Sequence, residues 1–153
     1  MLVPYVPTPI PVIDAMLNAV NANSEDIVYD LGCGDGRILF RAVEKFGVKK
    51  AVGIEIRKEL VEATLGKIRK KGLEEKIRII HGNFFDIPIS EATVVTLFLL
   101  TTVNKMLRPK LEKELRKGAR VVSHEFEIPG WEPDKVTVIH DGILTHKIYA
   151  YLR

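Results

Sequence analysis

The sequence predicts an α/β fold, a single doubly wound, mainly parallel sheet of seven strands finished by a C-terminal antiparallel hairpin. Three observations lead there. Short apolar runs alternate with helical apolar stripes along most of the chain. A glycine-rich turn, Asp30-Leu31-Gly32-Cys33-Gly34-Asp35-Gly36, joins the first run to the first stripe after it. Near the C-terminus two apolar stretches flank Asp141-Gly142, a hairpin signal. A chain of 153 residues with 46% hydrophobic and 28% charged content fits one globular domain, able to bury about two-thirds of its unfolded surface.

Residues 1–11 read as an N-terminal arm over the cofactor site and 12–153 as the folded domain. Four of the eight prolines stand in the arm. Proline fixes φ and pushes the preceding residue to extended conformations, so this arm is stiff enough to act as a lid. From Pro11 a helical stripe runs through Val12, Ile13, Met16, Leu17 and Val20. The first strand begins at Ile27. Arg37 to Phe46 is a crossover helix with Ile38, Leu39, Ala42 and Val43 inward and Gly47 as its stop. Ala51 to Glu55 is a buried second strand. Lys58 to Lys71 is the next helix, with Gly66 inside it costing about 1 kcal/mol relative to Ala. Ile77 to His81 is the third strand, and Thr93 to Leu100 a central strand covered on both faces. A helix through Met106, Leu107, Leu111 and Leu115 follows, interrupted or restarted at Pro109 and stopped at Gly118. Ala119 to Ser123 is the fifth parallel strand; Lys135 to Ile139 and Leu144 to Tyr151 make the closing pair.

The glycine spacing selects the ligand. A dinucleotide turn reads G-x-G-x-x-G, whereas Gly32, Gly34 and Gly36 read G-x-G-x-G with Asp30 two positions before them. A carboxylate there repels phosphate and suits a ligand carrying an ammonium or sulfonium. Glu55 closes the second strand about 20 residues past the turn, where an acidic side chain accepts both hydroxyls of a ribose. Cys33, the sole cysteine, fits the turn as a small residue, and the four histidines show no metal-ligand spacing along the chain. No metal is expected.

Asp30-Leu31-Gly32-Cys33-Gly34-Asp35-Gly36 closely resembles the first motif of the class I S-adenosylmethionine-dependent methyltransferases, whose fold is Rossmann-like. The resemblance implies S-adenosyl-L-methionine as cofactor, with Asp30, Gly32, Gly34 and Gly36 holding its methionine half. It also places Asn83 where the family commonly carries an acidic residue for the adenine amino group, with Phe84 lining the adenine plane. Amino-methylating enzymes acting on adenine or glutamine amides commonly carry Asn/Asp-Pro-Pro-aromatic after the fourth strand. Here Phe98-Leu99-Leu100-Thr101-Thr102-Val103-Asn104 stands instead, which counts against those substrates.

Tyr5-Val6-Pro7-Thr8-Pro9, the glycine turn with Arg37 and Ile38, and the stretch from Lys110 through Phe126 to Pro129-Gly130-Trp131 resemble one subfamily over nearly the whole chain. It comprises small archaeal broad-specificity protein-lysine methyltransferases and the mitochondrial ATP synthase c-subunit lysine methyltransferases. That resemblance implies protein substrates with exposed lysines, the enzyme itself included. Tyr5, Phe126 and Trp131 are expected to wall the lysine channel, with Thr101 at its rim; Tyr5, Val6 and Thr8 of the arm are expected to touch the cofactor. For each aromatic, plain core packing is the competing reading. A methyltransferase acting on RNA or a small molecule is the alternative. A pI near 9.0 allows nucleic acid without favouring it. No apolar run approaches a membrane span and no secretory signal is read, so the expected location is the cytoplasm.

Overall fold

The computed structural model describes residues 6–153. The first helix, α1 (Ile10–Ala19), starts at Ile10 behind an extended Pro9 (φ −62°, ψ 149°) and buries Val12, Ile13, Met16 and Leu17. The first strand, β1 (Ile27–Leu31), lies between β2 (Lys50–Glu55) and β4 (Val94–Leu97), parallel to both. Outside these run β3 (Ile77–His81) beside β2 and β5 (Arg120–His124) beside β4, again parallel. An antiparallel pair, β6 (Lys135–Asp141) and β7 (Leu144–Leu152), completes the order β3-β2-β1-β4-β5-β7-β6. The direction of winding reverses between β1 and β4. In such sheets the crevice beyond the carboxyl ends of those two strands is where a ligand fits.

Helices cover both faces. With α1, the helices α2 (Arg37–Glu44) and α3 (Lys58–Lys70) pack one face, around Leu39, Ala51, Ile68, Val94 and Val122. On the other, α4 (Thr101–Glu114) contributes Leu107 and Leu111 to a core with Leu31, Ile54, Val95 and Val121. Loop residues Ile89 and Ile128, both fully buried, share that second core. All seven expected strands and the closing hairpin are present.

The differences from the sequence reading are local. Strand β4 ends at Leu97, and Phe98, Leu99 and Leu100 leave the sheet although they are as apolar as the strand. Helix α4 runs through Pro109 without a break and ends at Glu114, before Gly118. Pro109 and Lys105 are both exposed, so the carbonyl that loses its helical donor stays on the water side. Strand β5 is displaced by one residue and takes in His124. The hairpin loop is Gly142-Ile143, with Asp141 paired to Leu144 and Gly142 at φ 64°.

Packing is tight where the glycine turn meets β2. A Cβ on Gly53 would stand 2.6 Å from both Cys33 Sγ and Leu39 Cδ1, whereas one on Gly66 would meet nothing within 4 Å. Gly53→Ala is therefore expected to lower unfolding stability by about 1–3 kcal/mol, and Gly66→Ala to raise it by about 1 kcal/mol. Urea denaturation of both variants checks the opposite signs.

Candidate active site

The turn after β1 is built on left-handed backbone. Gly32, Gly34 and Gly36 have φ of 82°, 55° and 79°, which side-chain-bearing residues rarely adopt. At Gly36 there is also no room, because a Cβ would lie 2.7 Å from Thr64 Cγ2. The turn is fastened to β2 by its amides. Gly32 and Cys33 donate to the Ile54 carbonyl at 2.8 and 3.0 Å, and the Gly34 amide donates to Glu55 Oε1 at 2.8 Å. Glu55 Oε2 accepts the Arg57 amide at 2.9 Å. A carboxylate offers about four acceptor positions, so Glu55 keeps capacity for a ligand.

These residues border a cleft of about 500 Å³ that also takes in Val6, Thr8, Asp30, Phe84, Phe98 and Phe126. Asp30 is 4% exposed and accepts the Thr96 hydroxyl at 2.8 Å. Burial pushes its carboxyl up to about 7, helped by the neighbouring charges of Glu55 and Asp35. The Cys33 thiol, also buried, is pushed well above its ordinary value by desolvation, which makes a nucleophilic role unfavourable.

The arm is tied down on both sides of Thr8. Arg37 grips Asp35 at 2.7 Å and donates to the Thr8 carbonyl at 3.4 Å. The Thr8 hydroxyl meets His124 Nδ1 at 3.2 Å, and His124 Nε2 meets His146 Nδ1 at 2.8 Å. His124 lies with its ring centroid 4.0 Å from that of Phe98, which in turn stacks on Phe126 at 6.2 Å. Burial lowers the His124 pKa to about 4. Phe126 is held by its own carbonyl, which accepts from Asn104 Nδ2 at 3.2 Å and from the Ser123 hydroxyl.

Val6, Thr8, Asp30, Gly32, Gly34, Glu55, Phe84 and Phe126 thus border one cleft, whereas Gly36, the residue preceding α2, does not line it. Tyr5 lies outside the described residues. Asn83 is exposed and turns its carbonyl oxygen back to the Phe85 amide at 2.9 Å instead of facing the cleft. Thr101 is exposed at the start of α4, where its neighbours Leu100 and Val103 line the cleft and it does not. Trp131, expected in the channel wall, is not among the residues that line the cleft. It packs on Tyr151 at 5.7 Å and under Arg153 at 4.0 Å; Tyr151 pairs with Val121 near the start of β5, at the far end of the sheet. Arg37, Phe98, Leu99, Leu100 and Val103 line the cleft although sequence reasoning assigns them no site role. The acidic partner two residues before Arg37, and the apolar run overshooting a four-residue strand, are the signals that point to them.

A buried carboxylate beside bare backbone, an acidic strand end with spare acceptors and aromatic walls fit S-adenosylmethionine, which carries a cationic amino-acid end, a ribose diol and an adenine. Fold and cleft define a class I S-adenosylmethionine-dependent methyltransferase. The ANTKMT methyltransferase domain matches residues 30–135, and the chain belongs to that family. A "Protein-lysine N-methyltransferase" of Saccharolobus islandicus is 57% identical over 98% of this chain and 93% of its own length. The mouse "Adenine nucleotide translocase lysine N-methyltransferase" is 32% identical over 97% of the chain and 62% of its own length. This chain therefore spans roughly three-fifths of that mammalian relative. A solved structure described as an RNA methyltransferase from Salinibacter ruber, in complex with S-adenosyl-L-homocysteine, is 41% identical and superposes with a TM-score of 0.89, covering 96% of this chain and 93% of that one. Among the described residues no helix is long and apolar enough to cross a membrane.

A cation at Asp30 needs that carboxyl ionised. With its pKa raised to about 7, the proton leaves as pH rises from 6 to 8, so affinity for S-adenosylmethionine is expected to tighten over that range by up to about tenfold. Calorimetry at each pH measures it, and Asp30→Asn should bind more weakly at pH 8 with the dependence flattened.

Proposed function

We infer that this chain moves the methyl group of S-adenosylmethionine to the side-chain amine of lysines in proteins. It is a protein-lysine N-methyltransferase. The near-full-length match to the archaeal protein-lysine N-methyltransferase carries the assignment, and the cleft chemistry supports it. Asp30 would hold the cationic methionine end and Glu55 the ribose hydroxyls, with Phe84 against the adenine and Val6 and Thr8 closing over them. The donor supplies an electrophilic sulfonium methyl when bound.

The chain's own task is to present a neutral amine in line with that methyl. From a pKa of about 10.4, deprotonating lysine at pH 7 costs about 4–5 kcal/mol. Desolvation lowers the pKa of a lysine amine. Phe98 and Phe126 form an apolar wall beside the glycine turn that excludes water from one side of the amine. No dedicated base is then required, and the remaining contribution is positioning of the two reactants. Thr101 at the α4 terminus is a rim contact for the incoming chain, and a rotamer change would free Asn83 to reach the adenine amino group. Exposed lysines on many proteins, the enzyme's own included, are the proposed substrates, with the reaction in the cytoplasm.

One finding favours a second reading. The Salinibacter ruber relative is described as acting on RNA. Incubation with radiolabelled cofactor and a mixed cell extract, split into protein and nucleic acid fractions, separates the two; label in protein is expected, and label confined to RNA would overturn the lysine assignment. Phe126→Ala should lower kcat/KM on protein lysine by about tenfold or more while changing the Kd for cofactor little. Trp131→Ala should leave kcat/KM nearly unchanged and lower stability by about 3 kcal/mol, as steady-state kinetics and denaturation would register.

A further inference from the structure

At the rim of the cleft, β5 and β7 bring three metal-ligating side chains together. His124 is paired with Ile148 in the sheet register, which puts His146, two residues earlier on β7, diagonally opposite on the same face. Nε2 of His124 and Nδ1 of His146 stand 2.8 Å apart. Glu125 is the third member: one donor atom from each of the three lies within 4.8 Å of the others.

We propose that His124, Glu125 and His146 form a binding site for one divalent transition-metal ion of the Zn²⁺, Co²⁺ or Ni²⁺ class. Two imidazoles and a carboxylate are a donor set these ions favour, and a cation takes the place of the proton shared between the rings. With metal–nitrogen bonds of about 2.0–2.1 Å, tetrahedral binding requires the rings to part by about 0.5 Å.

Two features beyond proximity support the site. His124 has its second nitrogen, Nδ1, on the Thr8 hydroxyl at 3.2 Å, the kind of outer partner that fixes the tautomer and aim of a metal-bound histidine. Glu125 is held in left-handed backbone at φ 70°, an uncommon conformation for a side-chain-bearing residue. It is pinned there by reciprocal bonds with Lys147: its amide donates to the Lys147 carbonyl at 2.7 Å, and the Lys147 amide donates to its carboxylate at 3.2 Å. An ion here would join two strands beneath Thr8 and stiffen the arm where it borders the cofactor cleft.

The full chain, stripped of metal with chelator, is titrated with Co²⁺ followed by visible absorption, and with Zn²⁺ in competition with a chromophoric chelator. One equivalent is expected to bind with a low-symmetry Co²⁺ spectrum. His146→Gln and Glu125→Gln should each weaken Zn²⁺ binding by about tenfold or more, whereas His140→Gln, on the exposed part of the hairpin, should not. Far-ultraviolet circular dichroism and melting confirm folding of each variant, and Glu125→Gln decides the matter if His146→Gln fails to fold. Absence of one-equivalent binding, or equal affinity in the two ligand variants and the parent, overturns the site.

Discussion

The hydrogen bond from the Gly34 amide to Glu55 holds the functional end of this molecule together. It can form only because the turn passes through left-handed backbone, and that backbone demands glycine at alternate positions. Together with the two amides on the Ile54 carbonyl, it clamps the tip of the first strand to the tip of the second. Two nearly buried carboxylates are thereby brought to one cleft in different settings. Among the described residues Glu55 has an amide donor on each oxygen, while Asp30 has a single hydroxyl from Thr96. Burial makes the Asp30 carboxyl give up its proton reluctantly, and under the proposed function a cationic ligand would supply what its surroundings withhold. On the proposed reading, selectivity for a positively charged donor over a pyrophosphate would follow from this seven-residue turn and the carboxylate at its start.

Features that depend on neighbours along the chain are legible in the amino-acid order itself. The glycine spacing, the acidic strand ends and the Asp141-Gly142 signal are local, and they lead to the correct sheet and to residues that line the cleft. The lysine side is harder to read, because it depends on where the chain goes after leaving the sheet. Phe98 to Leu100 are apolar whether they continue a strand or line a cleft, and periodicity does not distinguish the two. Trp131 follows Pro129 and a Gly130 at φ 89°, a turn that carries the chain away to Arg153 and Tyr151. Asn83 is expected at the adenine from its place after the third strand, whereas its side chain accepts from its own loop backbone, as Asn commonly does. The histidine pair joins residues 22 apart in the chain, a contact made by strand register alone.

The wall facing the substrate shows how a small domain builds a second surface without a second domain. On the α4 face, loop residues around Ile89 and Ile128 complete the core beside the one helix. A loop wall needs its backbone carbonyls satisfied. Asn104, fully buried in α4, does this for Phe126 and Glu127 with one amide group, and Ser123 adds a further bond to Phe126. The Phe126 ring therefore stands at the cleft on polar supports beneath it.

This arrangement reconciles an exposed reaction site with a reaction that needs a dehydrated amine. The cofactor side is enclosed by the chain, with the arm tied through Thr8 to both Arg37 and His124. On the side proposed for the lysine, the described residues offer Phe98, Phe126 and their apolar neighbours, too little wall to surround an amine alone. A flat protein surface laid against that rim would supply the missing cover, so water leaves the amine only when the target docks. Under the proposed function, recognition would then depend on the accessibility of a lysine more than on the residues around it, because the substrate's own surface would complete the site.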